Sequence, residues 1–109
     1  MASMFAQYKM EREGKSVLEN EHGFAVFYFK DTMCVVDDIF ILKTHRDKDH
    51  AKDLLEQIKQ MARDKGSKFL IGSVSPSAKG CHQSLEMCLH YGFKLFSSTS
   101  DLIYLSMEL

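Results

Sequence analysis

The order of apolar patterns along this sequence predicts an α/β fold, in which helices flank a mixed central β-sheet. Two observations support the prediction. First, apolar side chains recur at the spacing of one helical face over residues 51–62. Second, runs of aromatic and β-branched residues precede and follow this helix. A strand–helix–strand order requires a parallel crossover, whereas neighbouring runs form antiparallel hairpins, so the sheet must contain both kinds of pairing.

The first part of the chain predicts a short helix and an antiparallel group of strands. Residues 3–13 have loosely helical apolar spacing, and Gly14 follows as a stop signal. A short strand is predicted at 15–19, a buried strand at 24–29 and its hairpin partner at 33–42. These segments come before the long helix, so they form the antiparallel half of the sheet.

The part of the chain after the long helix predicts another strand, a second helix and two late strands. Gly66 is the stop signal of the long helix. The later elements are predicted at 68–74, 82–91, 93–96 and 102–105. We expect Leu85, Cys88 and Leu89 on the inner face of the second helix, which Gly92 ends. The whole sheet should have five to seven strands.

Length and composition predict one domain, residues 1–109, and exclude several classes of protein. The 14 Lys and Arg residues are balanced by 15 Asp and Glu residues, which excludes the strong positive charge of a general nucleic-acid binder. No run approaches the ~20 apolar residues of a membrane span. The 3 cysteines are widely spaced, which favours free thiols and a cytoplasmic location.

The apolar surface predicts self-association. At this length a domain buries only about 60–70% of the surface of its unfolded chain. The aromatic run at 24–29 and the late strands leave more apolar surface than one pair of helices covers. We therefore expect a homodimer that pairs along a sheet edge or through residues 93–105.

Three segments give the sequence a resemblance to a known family. Residues 36–42 (VDDIFIL) place two acids in an apolar strand, residues 44–51 (THRDKDHA) lead into the long helix, and residues 89–93 (LHYGF) end the second helix. They resemble the central strand, the pyrophosphate loop (Arg/Gln-x-x-Gly-x-Gly/Ala) and the Tyr-x-x-x-Gly-Phe segment of the GCN5-related N-acetyltransferase (GNAT) family. The likeness covers residues 33–96.

The resemblance implies a GNAT-like fold that is trimmed at its N-terminus, with the first two elements missing or reduced to residues 3–13. Short forms of this kind resemble proteins encoded by bacteriophages, for which the compartment would be the host cytoplasm. The implied function is acetyl-CoA-dependent transfer of an acetyl group to an amine acceptor, either a small molecule or a protein. The alternative is a catalytically degenerate binding module that keeps the fold and has lost cofactor use.

The resemblance also implies a cofactor site on the strand and the loop. Backbone amides of Ile39, Phe40 and Ile41 would hold the acetyl carbonyl and the pantetheine arm. The pyrophosphate would lie against the residues that begin the long helix: Arg46, Asp47, Lys48, Asp49, His50 and Ala51. Asp49 stands where the family has glycine, and its Cβ and charge oppose a phosphate.

The acids of this loop have a second interpretation that needs no ligand. Asp47 and Asp49 precede the long helix, so they can act as N-capping residues that stabilise its first turn. His45 and His50 flank the same loop, where they either contact a phosphate or stay solvated. Retained Arg46 favours the cofactor interpretation, whereas Asp49 favours the structural one.

The candidate catalytic residues also have alternative roles. Strand alternation predicts Asp37 and Asp38 on opposite faces, so one of them faces any given cleft. By resemblance that residue is a general base or binds a cationic substrate, and otherwise it pairs with a lysine or arginine. Cys88 lies four residues before Gly92, where the family places a tyrosine acid, and it is either that acid or a small core residue.

The remaining cysteines and histidines do not have the spacing of a metal site. Cys81, His82, Cys88 and His90 match no zinc pattern. His82 and His90 are eight residues apart, which is more than two helical turns. We therefore expect no metal.

Overall fold

A computed structural model describes residues 3–46 and 48–109, and within them the chain forms three α-helices and six β-strands. The elements are α1 (Met4–Glu13), β1 (Ser16–Glu19), β2 (Gly23–Lys30), β3 (Met33–Ile41), α2 (His50–Asp64), β4 (Phe69–Val74), α3 (Cys81–Tyr91), β5 (Lys94–Ser98) and β6 (Ile103–Glu108). A 3-10 helix (Lys43–His45) lies between β3 and α2. The predicted α/β fold and each predicted element are confirmed.

The strands form one mixed sheet in the order β1-β2-β3-β4-β6-β5. β3 and β4 are parallel, and α2 makes the crossover between them. All other neighbouring strands are antiparallel. The predicted combination of one parallel crossover with flanking hairpins is therefore confirmed.

The core lies between α2 and one face of the sheet, which we call the α2 face. Its buried side chains come from strands β2, β3, β4 and β6, from the apolar stripe of α2 and from the residue before β5: Ala25, Phe27, Cys34, Val36, Leu54, Leu55, Ile58, Ala62, Leu70, Val74, Phe93 and Leu105. Burying one leucine or isoleucine contributes about 1.5–3 kcal/mol, so packing holds α2 in place more than helix propensity does. Met61, at the border of the stripe, is exposed.

Helix α3 lies beside α2, but its inner face differs from the prediction. Leu85 and Cys88 pack against the core, as expected. Leu89 is 49% exposed, so its predicted inward position is wrong. Met87 packs against the core as well, so the inner face includes the residue before Cys88 and not the one after it. Gly92 ends α3 in the left-handed conformation, as predicted.

Helix α1 covers part of the opposite face of the sheet, which we call the α1 face. Ser3 caps the helix by accepting a hydrogen bond from the Ala6 amide, and Gly14 ends it in the left-handed conformation. The Phe5 ring packs against Phe24 of β2, with ring centroids 5.0 Å apart. Within the described residues no helix is long and apolar enough to cross a membrane.

Candidate functional site

The last part of β3 has no strand partner on its β4 side within the described residues. β3 pairs with β4 only over residues 33–36, and the last pair joins Val36 to Gly72. β3 then continues to Ile41, and residues 39–41 pair with β2 alone. Strand residues direct hydrogen-bonding groups to both edges, so this segment presents backbone groups to a gap. The amides proposed by resemblance to hold an acetyl group lie at this gap.

A β-bulge interrupts β3 where the parallel pairing stops. Phe27 of β2 pairs with Val36, while the preceding residue, Val26, pairs with Asp38. Asp37 is therefore an extra residue without a partner on β2. A bulge of this kind bends the strand and shifts its side-chain alternation by one position.

The bulge overturns the predicted placement of the two aspartates. Val36 before the bulge and Ile39 after it both pack into the core on the α2 face. The two residues between them, Asp37 and Asp38, are exposed and lie on the α1 face. The prediction of opposite faces assumed an uninterrupted strand and is wrong. Both carboxylates belong to the same side of the gap.

Asp37 is paired with a lysine of the α1–β1 junction. Lys15 Nζ donates a hydrogen bond to Asp37 Oδ2 at 2.7 Å and lies 3.4 Å from Glu13 Oε1. The hydrogen bond to Asp37 raises the pKa of Lys15, and the hydrogen bond from Lys9 lowers the pKa of Glu13. The structural interpretation of an aspartate paired with a lysine therefore applies to Asp37.

Asp38 lies beside an exposed aromatic surface. Its carboxylate has no hydrogen bond or ion pair with any part of the chain that the structure describes. Phe40, two residues further along β3, is 42% exposed, and its ring lies 5.6 Å from Phe24. An unpaired carboxylate next to aromatic rings suits an amine with an apolar body.

Arg46 is held against the end of β3. Its Nε donates to the Ile41 carbonyl at 3.0 Å, and its guanidinium lies 5.8 Å from the Phe40 ring centroid. The exposed guanidinium can still donate from its other N–H groups. Lys48 is also exposed, and Asp47 lies outside the described residues.

Asp49 has the backbone conformation that glycine adopts most easily. Its φ is 59° and its ψ is 20°, and its side chain makes no capping hydrogen bond to α2. The N-cap interpretation of Asp49 is therefore wrong, because a capping side chain needs an extended backbone to reach the first-turn amides. The α2 amides at His50 and Ala51 are left without a side-chain cap.

Three histidines meet beside this loop. His22 Nδ1 lies 3.0 Å from His45 Nδ1, and the His22 ring stacks on His50 with centroids 3.6 Å apart and planes 11° apart. Sequence reasoning placed His45 and His50 near the loop but missed His22. Its turn lies more than twenty residues before the loop, and no local pattern connects the two.

Cys88, the candidate proton donor on α3, and the nearby Tyr91 both contact other parts of the protein. Cys88 is half-buried against the core, and this burial raises the pKa of its thiol. Tyr91 Oη donates to Glu56 Oε1 at 2.8 Å, and burial together with Glu56 raises the pKa of Tyr91. Lys59 Nζ lies 5.5 Å from the Tyr91 ring centroid. Tyr91 therefore connects α3 to α2.

A cleft of about 310 Å³ lies between the first turn of α2 and the second half of α3. Its lining residues are Asp49, Lys52, Met87, His90 and Tyr91. The sequence did not indicate Met87, which belongs to no motif, and it pointed to His90 only as part of segment 89–93 and as a rejected metal ligand. Over residues 3–46 and 48–109, no three His, Cys, Asp or Glu side chains are grouped so that they could hold a metal ion.

Solved structures of acetyltransferases share this fold. A GNAT family acetyltransferase from Elizabethkingia anophelis with acetyl-CoA bound has a TM-score of 0.76 and 20% identity, over 97% of this chain and 82% of that one. The IAA acetyltransferase from Bacillus cereus has a TM-score of 0.72 and 19% identity, over 87% and 77% of the two chains. The predicted resemblance to the GNAT family is confirmed for the fold.

A longer structure matches only in part. The PaiA N-acetyltransferase from Thermoplasma acidophilum, in complex with coenzyme A, has a TM-score of 0.74 and 14% identity. The match covers 81% of this chain and 54% of that one, so the chain spans about half the length of this neighbour. No protein-family model matches the sequence, and a search among curated proteins finds no match.

Proposed function

We propose that this protein binds acetyl-CoA at the gap beside β3 and transfers the acetyl group to an amine. One observation carries the proposal: the bulge at Asp37 and the end of parallel pairing at Val36 leave residues 39–41 without a strand partner on the β4 side, and the helix that follows has no side-chain cap. The neighbours crystallised with coenzyme A or acetyl-CoA have the same fold and support this assignment.

The loop and the first turn of α2 fit the phosphates of such a cofactor. Amides at a helix N-terminus point outward and carry partial positive charge, which favours phosphate oxygens. The left-handed backbone at Asp49 leaves these amides without a side-chain cap. Arg46, Lys48 and Lys52 add positive charge, while the carboxylate of Asp49 opposes it.

The transfer needs a proton acceptor on the α1 face. When bound, acetyl-CoA supplies the thioester. Asp38 is the carboxylate that takes a proton from the acceptor ammonium, because Asp37 already pairs with Lys15. The free amine then forms a C–N bond at the thioester carbonyl, the C–S bond breaks, and backbone amides of residues 39–41 stabilise the developing oxygen charge.

The leaving thiolate receives, through water, the proton that the attacking nitrogen loses when the amide forms. Cys88 packs against the core, and its thiol makes no hydrogen bond within the described residues. This contact favours the core role that the sequence left open for Cys88. The acceptor is an amine, on a small molecule or a protein, that fits an exposed carboxylate beside Phe40.

A binding module without turnover is the alternative function. The Asp49 carboxylate at the phosphate position and the Asp37–Lys15 ion pair favour it. In that case the same gap binds no acetyl-CoA.

Titration of the protein with acetyl-CoA separates the two functions. We expect binding at micromolar concentration by calorimetry, and no heat of binding at millimolar concentration would support the binding module.

Turnover is tested with the matched pair Asp38→Asn and Asp37→Asn, with a panel of amines as acceptors. Losing a general base lowers kcat about 10²–10⁴-fold, so Asp38→Asn should fall in this range and Asp37→Asn well short of it. Equal losses would contradict the assignment of Asp38.

We also propose that two copies associate through β5. β5 is an edge strand, and its Leu95 and Phe96 are 68% and 63% exposed. β5 has an irregularity at Phe96, and association of two copies across this edge would bury the two exposed apolar side chains. Light scattering should show a dimer that Phe96→Glu converts to a monomer, while Met10→Glu, exposed on α1, leaves it intact. A wild-type monomer at high micromolar concentration would contradict this.

A further inference from the structure

The turn between β1 and β2 lies against the start of the candidate cofactor loop. Asn20 Oδ1 accepts hydrogen bonds from the His22 amide at 2.8 Å and the Gly23 amide at 3.2 Å. The His22 carbonyl accepts a hydrogen bond from the Leu42 amide at 2.8 Å. A Cβ at Gly23 would overlap the Phe40 carbonyl oxygen, so glycine permits this close approach. The backbone of His22 is therefore fixed beside the end of β3.

The His22 side chain then contacts both ends of the loop. Its Nδ1 is at hydrogen-bond distance from His45 in the 3-10 helix, and its ring stacks on His50, the first residue of α2. The segment between these two contacts contains Arg46 and Asp49. Among the described residues, no other side chain outside residues 42–50 is hydrogen-bonded to or stacked on both ends of this segment.

We propose that His22 is a positioning residue for the cofactor loop, holding His45 and His50 so that the loop and the α2 amides keep the arrangement that receives phosphates. The inference rests on the proposed function for the identity of the ligand. The positioning itself is a property of the protein without ligand, so it can be measured separately.

The contact between His22 and His45 depends on protons. One Nδ1 must carry a hydrogen and the other must accept it. If both rings are protonated, two N–H groups face each other across 3.0 Å and the hydrogen bond is lost. Imidazole is the side chain that usually changes charge between about pH 5 and 8.

Other charged groups surround this cluster. Glu21 Oε1 lies 3.4 Å from His22 Nε2 on the same turn. Lys43 is on the 3-10 helix, and Arg46, Lys48 and Asp49 follow it. None of these can replace the Nδ1 contact, because His22 and His45 make it with each other. Acidification should therefore loosen the loop.

The decisive experiment measures hydrogen exchange in the protein without ligand. His22→Phe keeps a ring that can stack on His50 but removes the Nδ1 atom that contacts His45. His22→Asn puts a polar side-chain amide in place of the imidazole, and this amide does not change charge with pH. The matched control is His82→Phe, an exposed histidine of α3. Amides in peptides spanning residues 42–50 should lose about threefold to tenfold protection in His22→Phe, as for one neutral hydrogen bond, and less in His22→Asn.

The pH profile separates positioning from a general effect on stability. On acidification from about pH 7.5 to about pH 5, wild-type protection at 42–50 should fall towards that of His22→Phe when both rings are protonated, because one added proton still leaves one donor and one acceptor. The variant itself should not fall further, and β4 should not change in either protein. Equal protection of 42–50 in wild type and His22→Phe at neutral pH, or parallel profiles, would overturn the proposal.

Titration with acetyl-CoA tests whether the loop position that His22 maintains affects ligand binding. At neutral pH, His22→Phe should weaken binding about threefold to tenfold, the same factor as in exchange. Acidification should lower wild-type affinity relative to that of the variant, because wild type alone has the His22–His45 contact to lose. If wild type binds no acetyl-CoA, the proposed function fails, and the exchange measurement still decides the role of His22.

Discussion

The two halves of β3 differ in how they are built. Before the bulge, residues 33–36 have strand partners on both sides and place Cys34 and Val36 in the core. After it, residues 39–41 pair on one side only, and the chain then leads through a 3-10 helix to a left-handed residue, Asp49, before α2. The first half is held by burial, and the second half has one edge without a strand partner. The scaffold and the candidate site therefore depend on different interactions within one strand.

The largest expected effect is on the free energy of unfolding, and it tests whether burial stabilises the first half of β3. Ile58 is fully buried under this part of the sheet, so Ile58→Ala should cost about 2–5 kcal/mol in the free energy of unfolding. This is a large share of the roughly 5–15 kcal/mol of a typical domain. Denaturant unfolding gives the value, and Met61→Ala, exposed on the same helix, is the control. Similar losses in both variants would show that the core is not where the structure places it.

The sequence predicted the first half well because burial leaves a periodic pattern. The apolar stripe of α2 and the run at 24–29 required a parallel crossover beside an antiparallel hairpin, and the sheet has both. One extra residue at Asp37 then shifted the alternation, and composition carries no sign of such a bulge. The left-handed backbone of Asp49 was equally hidden, since an aspartate before a helix usually indicates a cap.

The next largest effect is on acetyl-CoA affinity, and it concerns Arg46, which contacts the second half of β3 at Ile41. Removing its guanidinium takes away a charged donor from the phosphate loop and the hydrogen bond to the Ile41 carbonyl. Arg46→Ala should weaken acetyl-CoA binding by about 1.5–3 kcal/mol, measured by calorimetry. Arg12→Ala, in the last turn of α1, is the control. Unchanged affinity in Arg46→Ala would mean that the phosphates lie elsewhere.

The smallest effect is the sharpest, because the chain contains a matched pair of residues. Asp49 and Asp31 both have left-handed backbones, with φ of 59° and 54°, but Asp31 lies in the turn between β2 and β3. Glycine relieves the left-handed backbone strain of about 1–2 kcal/mol. It also raises the conformational entropy of the unfolded chain, which cancels part of this gain in stability. Both Asp49→Gly and Asp31→Gly should therefore raise the unfolding midpoint by a few degrees, at about 4–8 °C per kcal/mol.

Acetyl-CoA then distinguishes the two substitutions. Asp49→Gly also removes a like charge and a Cβ from beside the phosphates, so its affinity for acetyl-CoA should rise, whereas that of Asp31→Gly should stay at the wild-type value. If the protein is a binding module, the two variants should match in stability and neither should bind. A lower unfolding midpoint for Asp49→Gly but not for Asp31→Gly would show that the Asp49 side chain caps α2, against the backbone angles. The two positions have the same backbone conformation, so a lost hydrogen bond to the first turn of α2 would explain the difference.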